Sequence, residues 1–336
     1  MSYEIEKDRC HYFQEPVRPQ MDSLDDLLVD TLHSDLPIIN EICEYLALIP
    51  GKKIRPSLLF LVSECTGGDR QAALAGGLAV ELIHTATLVH DDILDNHKTR
   101  RGRATVYSKY GGNVATIIGD FLYSKAFMKL GELELFEMMD ILAAATHKMS
   151  VGELMQFQLA RQIDMTEEVY MEMIYSKTAS LFAASSECGA VASRSGGRAE
   201  LREAMSEYGR KLGLAFQITD DLFDYLAIDN HIGKQTAVDF SDGRVTLPLI
   251  VAMREAPREQ QADIARLFHE GFGDEDWGEV VMFVQRFGGI EYSLSAARRL
   301  GEEAREALGP LPACRERDSL DAAAEYVIRR VDPFSL

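Results

Sequence analysis

Apolar residues recur along this chain at intervals of three and four rather than in alternation, a pattern that predicts helices and few strands. Ala, Leu, Glu and Met dominate long stretches, and only 10 prolines and 25 glycines interrupt them. From Gln71 to Asp95 the chain is apolar or small almost all round, through Ala73, Leu74, Gly77, Leu78, Val80, Leu82, Thr85, Leu88 and Val89, and it carries Glu81 and His84 within that run. Such a helix is expected to be buried on most sides. A second helix of similar character is predicted from about Ala204 to Tyr225, through Tyr208, Leu212, Leu214, Phe216 and Ile218. Breaks are predicted at Ile49–Gly51, Thr66–Asp69, Arg100–Gly102, Tyr110–Gly112, Ser195–Gly197, Asp229–Gly233 and Gly271–Asp276. None is long enough for an interdomain linker, so a single all-α domain spanning 1–336 is expected.

Composition narrows the class. At 336 residues and 46% hydrophobic content the chain has ample material for a large core. A formal charge of −19 argues against broad nucleic-acid binding, which needs a basic face. Cys10, Cys43, Cys65, Cys188 and Cys314 are scattered and never form CxxC, so neither a zinc site nor a disulfide framework is expected. The N-terminus is charged where a signal peptide is apolar, and no later run approaches the ~20 apolar residues of a membrane span. A soluble cytoplasmic protein is the expectation.

Both apolar helices end in a DDxxD cluster: Asp91, Asp92 and Asp95 in the first, Asp220, Asp221 and Asp224 in the second. Residues four apart share a helix face, so Asp91 projects with Asp95 and Asp220 with Asp224, while Asp92 and Asp221 sit about 100° round. Carboxylates crowded in this way repel unless a cation joins them. Mg²⁺ usually binds through one or two carboxylates plus water and substrate phosphates, so the clusters point to a metal-dependent enzyme acting on diphosphates. One such cluster alone is equally readable as a solvated helix end; two, each in an apolar helix, are not.

Basic residues accompany the acids: Lys52, Lys53 and Arg55 in GKKIRP ahead of the first apolar helix, Arg100 and Arg101 just after the first cluster, and Lys234 after the second. Arginine forks suit phosphate oxygens, although each pair taken singly also reads as ordinary surface. His84 lies close to the face of Asp91, placed to donate to a phosphate, with a satisfied core histidine as the alternative. His90, beside the cluster, is expected to act at most indirectly. Lys177, Thr178 and Gln217 put polar groups into apolar stretches. They read either as helix packing or as dipoles that stabilise positive charge on a substrate carbon, and spacing does not choose between the two.

Taken in order, GKKIRP, IHTATLVHDDILDNHKTRRGRAT, GDFLYSKAF, KTASLF, FQITDDLFD and GKQTAVDFSDGRVTLPLI resemble the trans-polyprenyl diphosphate synthases, from about Asp25 to Arg330. The resemblance implies the all-α isoprenoid synthase fold with a central cavity, a homodimer, three Mg²⁺ ions per site, and head-to-tail transfer of an allylic diphosphate onto isopentenyl diphosphate. By position it makes Asp91, Asp92 and Asp95 metal ligands on the allylic diphosphate, and Asp220 the main ligand of the second cluster, supported by Asp221 and Asp224. Lys52, Arg55, His84 and Arg101 match the isopentenyl diphosphate site; Arg100, Lys177 and Lys234 match groups that hold the allylic diphosphate; Thr178 and Gln217 match the carbocation-stabilising positions. Residues 1–24, ahead of the matching region, are expected to be peripheral or poorly ordered. Pro50, Ala237 and Arg244 depart from the usual Gly, Gly and Lys of the family pattern, which bears on loop geometry rather than chemistry.

In this family bulky residues just before the first cluster stop elongation early. Here those positions hold Ala86 and Thr87, so the resemblance favours a long, hepta- to nonaprenyl product that contacts a membrane on release, with Phe127, Met128 and Met155 as candidates for a deeper floor. A shorter farnesyl or geranylgeranyl product is the alternative. A terpene cyclase is disfavoured because the second cluster is DDLFD and the GKKIRP site implies a second substrate. A non-catalytic subunit of a heteromeric synthase is disfavoured because both clusters keep their aspartates, and a Ca²⁺-binding bundle because no EF-hand spacing is present.

Overall fold

The computed structural model describes residues 12–47, 51–192, 199–226, 238–270 and 274–331. It is helical almost throughout, with one two-stranded hairpin among the described residues, as the three- and four-residue periodicity requires. The residues group into two compact units. The first comprises 1–146, 184–206 and 308–322; the second comprises 147–183, 207–307 and 323–336.

The first unit is organised around helix Arg70–Leu94. Asp69 caps its start, its carboxylate accepting from the backbone N–H of Gln71 and Ala72. Helix Ile54–Cys65 packs on it so closely that a Cβ at Gly77 would lie 2.4 Å from Cζ of Phe60, so this crossing needs a residue without a side chain. Contrary to expectation, Arg70–Leu94 is by length and composition apolar enough to cross a membrane, with a window of mean hydropathy 1.6; 67% of that window is buried, as in the core helix of a folded unit. Part of the segment before residue 25 is also folded. Phe13, Val17 and Leu24 are buried, and Gln14 Nε2 donates to Lys52 O at 2.7 Å. Their spacing makes one apolar stripe.

In the second unit, helix Leu247–Glu255 packs with Asp274–Arg286 and Gly289–Ala307. Phe240, Phe268 and Trp277 cluster beside them, with ring centroids 5.0 Å apart for Phe240 and Phe268 and 5.7 Å for Phe240 and Trp277. Helix Glu167–Ile174 continues into a widened π turn, Tyr175–Ala179, which carries Lys177 and Thr178. The extra residue in such a turn re-aims the side chains around it, and such turns occur frequently at functional sites. The turn is seated against Gly152: a Cβ there would fall 2.4 Å from Lys177 N.

Candidate functional site

Both acidic clusters occupy the last turns of their helices, Arg70–Leu94 and Ala199–Leu226. This is the negative end of the helix dipole, where carboxylates are unfavourable and cations are welcome. The position of the first stop is set locally. Asn96 adopts a left-handed conformation (φ 52), its N–H donates to Ile93 O at 3.2 Å, and the N–H of His97 reaches back to Asp92 O at 3.0 Å. This is a Schellman termination, one of the few places where Asn substitutes for Gly. It leaves Asp91 and Asp95 partly exposed and Asp92 buried. Burial pushes the Asp92 carboxyl above its usual range, and the guanidinium of Arg100, with Nε 2.9 Å from Oδ1, pulls it back. Arg100 is therefore tied to Asp92, and His97 Nδ1 lies 3.9 Å from both Asp92 and Asp95.

Arg100 and Arg101 come from the hairpin, which pairs Thr99 with Ala104 and Arg100 with Arg103. Its two turn residues, Arg101 (φ 51) and Gly102 (φ 76), both have positive φ, as a type I′ turn requires. Glycine takes that conformation freely; arginine does so at a cost, and so does Lys53 (φ 47). The two strained cationic residues serve one place. A Cβ at Gly51 would lie 3.4 Å from Arg101 Nη1 and 3.6 Å from Glu81 Oε1. The charges of Lys53, Arg55 and Arg101 all draw the buried Glu81 carboxyl down, against a larger upward push from burial. Glu81 Oε2 has no hydrogen-bond partner although it is buried. Lys53 also pairs with Asp25.

His84 lies one turn further along the same helix, with Nε2 3.3 Å from Arg55 Nη1. A guanidinium only donates, so Nε2 is the acceptor and the ring is neutral with its proton on Nδ1. Burial, then the charges of Arg55, Arg101 and Arg100, hold its pKa well below the ordinary value. In this structure that nitrogen is engaged with Arg55. His90 packs instead toward the neighbouring helix, with Nε2 3.1 Å from Thr116 O. Ala86 is fully buried, and the half-buried Thr87 donates to His84 O at 2.7 Å. Met128 is exposed in the single chain, and Phe127 and Met155 are half-buried.

The second cluster borders a cavity of about 300 Å³ lined by Asp220, Asp221, Asp224, Lys177, Thr178 and Gln217, together with Tyr170, Asp239, Arg244 and Gln156. The resemblance assigned the first six, and the cavity brings them together. A chain of hydrogen bonds fixes the polar side: Thr178 Oγ1 donates to Gln217 Oε1 (2.8 Å), Gln217 Nε2 to Asp221 Oδ1 (2.7 Å), and Tyr170 OH to Asp221 Oδ2 (2.6 Å). Asp221 is raised well above the carboxylate range by burial and then by Asp239; Asp239 is raised by burial, with Arg244, 3.4 Å away, opposing. Asp220 is half-exposed and paired with the buried Arg330 at 2.8 Å, whose guanidinium stacks 4.1 Å from the Phe216 ring centroid. Lys177 is held by Glu153 at 2.5 Å and Gln156 at 3.1 Å, so in this state its charge is already paired. Lys234, with Pro50 and Ala237, lies outside the described residues.

Each cluster fits a hard divalent cation. The carboxylates are oxygen donors at a negative helix end, and those of the second are further destabilised by one another. Among the described residues, no three carboxylate, imidazole or thiol groups already form a cage.

Glu81, Tyr170, Asp239 and Arg330 carried no functional signal of their own in the sequence. Each acquires its role from a partner distant in the chain. Only the isolated charge of Glu81 inside an apolar run hinted at it.

Residues 36–282 match the polyprenyl synthetase family model. The chain is 33% identical over 312 residues to the octaprenyl diphosphate synthase of Haemophilus influenzae, covering 93% of this chain and 94% of that protein. It is 37% identical over 292 residues to a short chain isoprenyl diphosphate synthase of Methanothermobacter thermautotrophicus, covering 85% and 89%. Its fold is similar to the crystal structure of a decaprenyl diphosphate synthase from Rhodobacter capsulatus, with a TM-score of 0.90, 32% identity, and 97% and 99% of the two chains covered. With two carboxylate clusters suited to a divalent metal and cations suited to isoprenyl diphosphates, the chain belongs to the polyprenyl synthetase family of all-α prenyltransferases.

Proposed function

We propose that this enzyme condenses isopentenyl diphosphate head to tail onto an allylic diphosphate in the presence of Mg²⁺, and that its product is a long all-trans polyprenyl diphosphate. The observation that carries the reading is the cluster of Arg55 and the strained Lys53 and Arg101 around Glu81, a residue on the same helix as the first DDxxD, apart from Arg100, which serves Asp92. A chain with one diphosphate substrate, as in a cyclase, has no use for that second group of cations. In this reading Lys52, Arg55, His84 and Arg101 bind isopentenyl diphosphate, Asp91 and Asp95, with Asp92 behind them, would hold Mg²⁺ on the allylic diphosphate, and the second cluster would hold Mg²⁺ as well. The metal supplies neutralisation of the departing diphosphate.

The chain's own residues do the rest. The oxygens of Thr178 and Gln217, locked by the bonds to Asp221, present the negative ends of their dipoles to a carbon that becomes positive. Lys177, once released from Glu153, is free to meet the allylic diphosphate.

A homodimer is part of the proposal. It is supported by exposed Ile117 and Met128 on helix Gly112–Glu132, and separately by Val151, Leu154 and Phe157, exposed at helical spacing. A cytoplasmic location is also part of the proposal, and membrane contact at product release is supported by the length of the proposed product.

Incubation with isopentenyl diphosphate, each allylic primer in turn and Mg²⁺, followed by product sizing, tests the reaction. Long prenyl chains are expected, and no diphosphate release with any primer would overturn the assignment. The short-chain relative makes farnesyl or geranylgeranyl diphosphate the second reading, and the same sizing separates the two. Ala86→Phe is expected to shorten the product, because a ring at this buried position fills the path of a growing chain. An unchanged product distribution from a folded Ala86→Phe enzyme would remove Ala86 from the tunnel wall.

A further inference from the structure

Away from both acidic clusters, two thiols of the first unit meet. Cys65 ends helix Ile54–Cys65, Cys314 immediately precedes helix Arg315–Arg329, and their sulfurs are 2.8 Å apart. Both are free thiols. The approach joins positions 249 residues apart in sequence, which explains why scattered cysteines gave no sign of it.

Both sulfurs are held in place by fixed backbone. Cys65 Sγ is also 3.8 Å from Pro312 O. Cys314 stands at the cap position of its helix, where its sulfur accepts from the N–H of Arg317 at 3.4 Å and its carbonyl accepts from the N–H of Asp318 at 3.1 Å. Arg317 Nη1 ties the approach by donating to Leu311 O at 3.2 Å, and Leu308 and Leu311 are buried. Ser, Thr, Asp and Asn cap a helix better than Cys does, so capping alone does not account for sulfur at this position. Cys65 is buried and Cys314 half-exposed, so a reagent from solvent meets Cys314 first.

We propose that Cys65 and Cys314 are an oxidation site at which a reversible intrachain disulfide forms by exchange with a small-molecule disulfide. The Cys314 thiolate attacks one sulfur of the reagent, whose S–S bond breaks and releases one thiolate. Cys65, giving its proton to solvent, then attacks Sγ of Cys314 and displaces the second. Two electrons pass from the protein to the reagent, and the two protons end on the two released thiols. The bridge fastens the far end of helix Ile54–Cys65, which carries Arg55 in its first turn, to the segment ahead of Arg315. By closing a very long loop, it restricts the unfolded chain more than the folded one.

The test is to treat the full-length reduced protein with oxidised glutathione, then alkylate it, measure the intact mass and map the peptides. The expected product lacks two hydrogens, yields one linked pair of peptides containing Cys65 and Cys314, and unfolds at a midpoint higher by roughly 5 °C. The rise disappears on reduction and is absent in Cys65→Ser and Cys314→Ser, the second of which keeps a helix cap. A glutathione adduct that persists on Cys314 while Cys65 remains alkylatable would overturn the proposal. So would a bridge through Cys10, Cys43 or Cys188, or a midpoint rise that survives in both serine variants.

Discussion

Asp91→Asn combined with Asp95→Asn is expected to lower kcat/KM by about a thousandfold, while leaving the protein as stable as before or slightly more so. The two carboxylates share the partly exposed face of the last turn. Asparagine preserves their shape and removes only the charge that a divalent ion needs. Asp92 does not replace them, being buried and bonded to Arg100 at 2.9 Å. The stability half of the expectation follows from the same placement. Negative charge at the C-terminal end of a helix opposes its dipole, so neutralising it contributes up to ~1 kcal/mol. Steady-state kinetics across a Mg²⁺ titration, with denaturant unfolding of the metal-free protein, measures both halves. Wild-type activity at ordinary Mg²⁺ would show that the first cluster is not a metal site. A large loss of stability would show that its charges serve the fold.

Gly152→Val is expected to destabilise the protein by about 3 kcal/mol. A Cβ at Gly152 would lie 2.4 Å from Lys177 N, 2.8 Å from its Cα and 2.9 Å from Ser176 C, all backbone atoms with no rotamer to retreat into. The helix bearing Gly152 also supplies Glu153 and Gln156, the two partners of Lys177, so the strain falls on the turn that presents Lys177 and Thr178. Activity is therefore expected to fall even where the variant remains folded. Gly131→Ala is the control: nothing lies within 4 Å of its would-be Cβ, and alanine in a helix is favoured over glycine by roughly 0.5–1 kcal/mol. Urea unfolding of both variants decides the matter. An unchanged midpoint for Gly152→Val would mean that the helix and the π turn part without cost.

The parts of the site legible in the sequence are those governed by neighbours a few residues away. Asp91 and Asp95 share a face because helices repeat every 3.6 residues, whereas the stop at Asn96 came from its positive φ in the structure. The same local rule explains why Thr178 and Gln217 were recognisable as polar intrusions whose role spacing did not choose. Their meaning depends on a 2.8 Å bond across 39 residues. Lys177 illustrates a different gap. Its type and position were readable, yet its present partner, Glu153, lies on another helix.

By itself, then, the sequence determined an all-α chain, two helices ending in carboxylates, and Arg100 and Arg101 a few residues past the first of them, because periodicity and like-charge crowding are short-range effects. Only the tertiary structure decided that Glu81 gathers Lys53, Arg55 and Arg101, that His84 faces Arg55 as an acceptor, that Tyr170 and Asp239 bear on Asp221, and that Cys65 meets Cys314. Desolvation and charge pairing act over a few ångströms in space whatever the separation along the chain, so burial is what turns these residues from composition into chemistry.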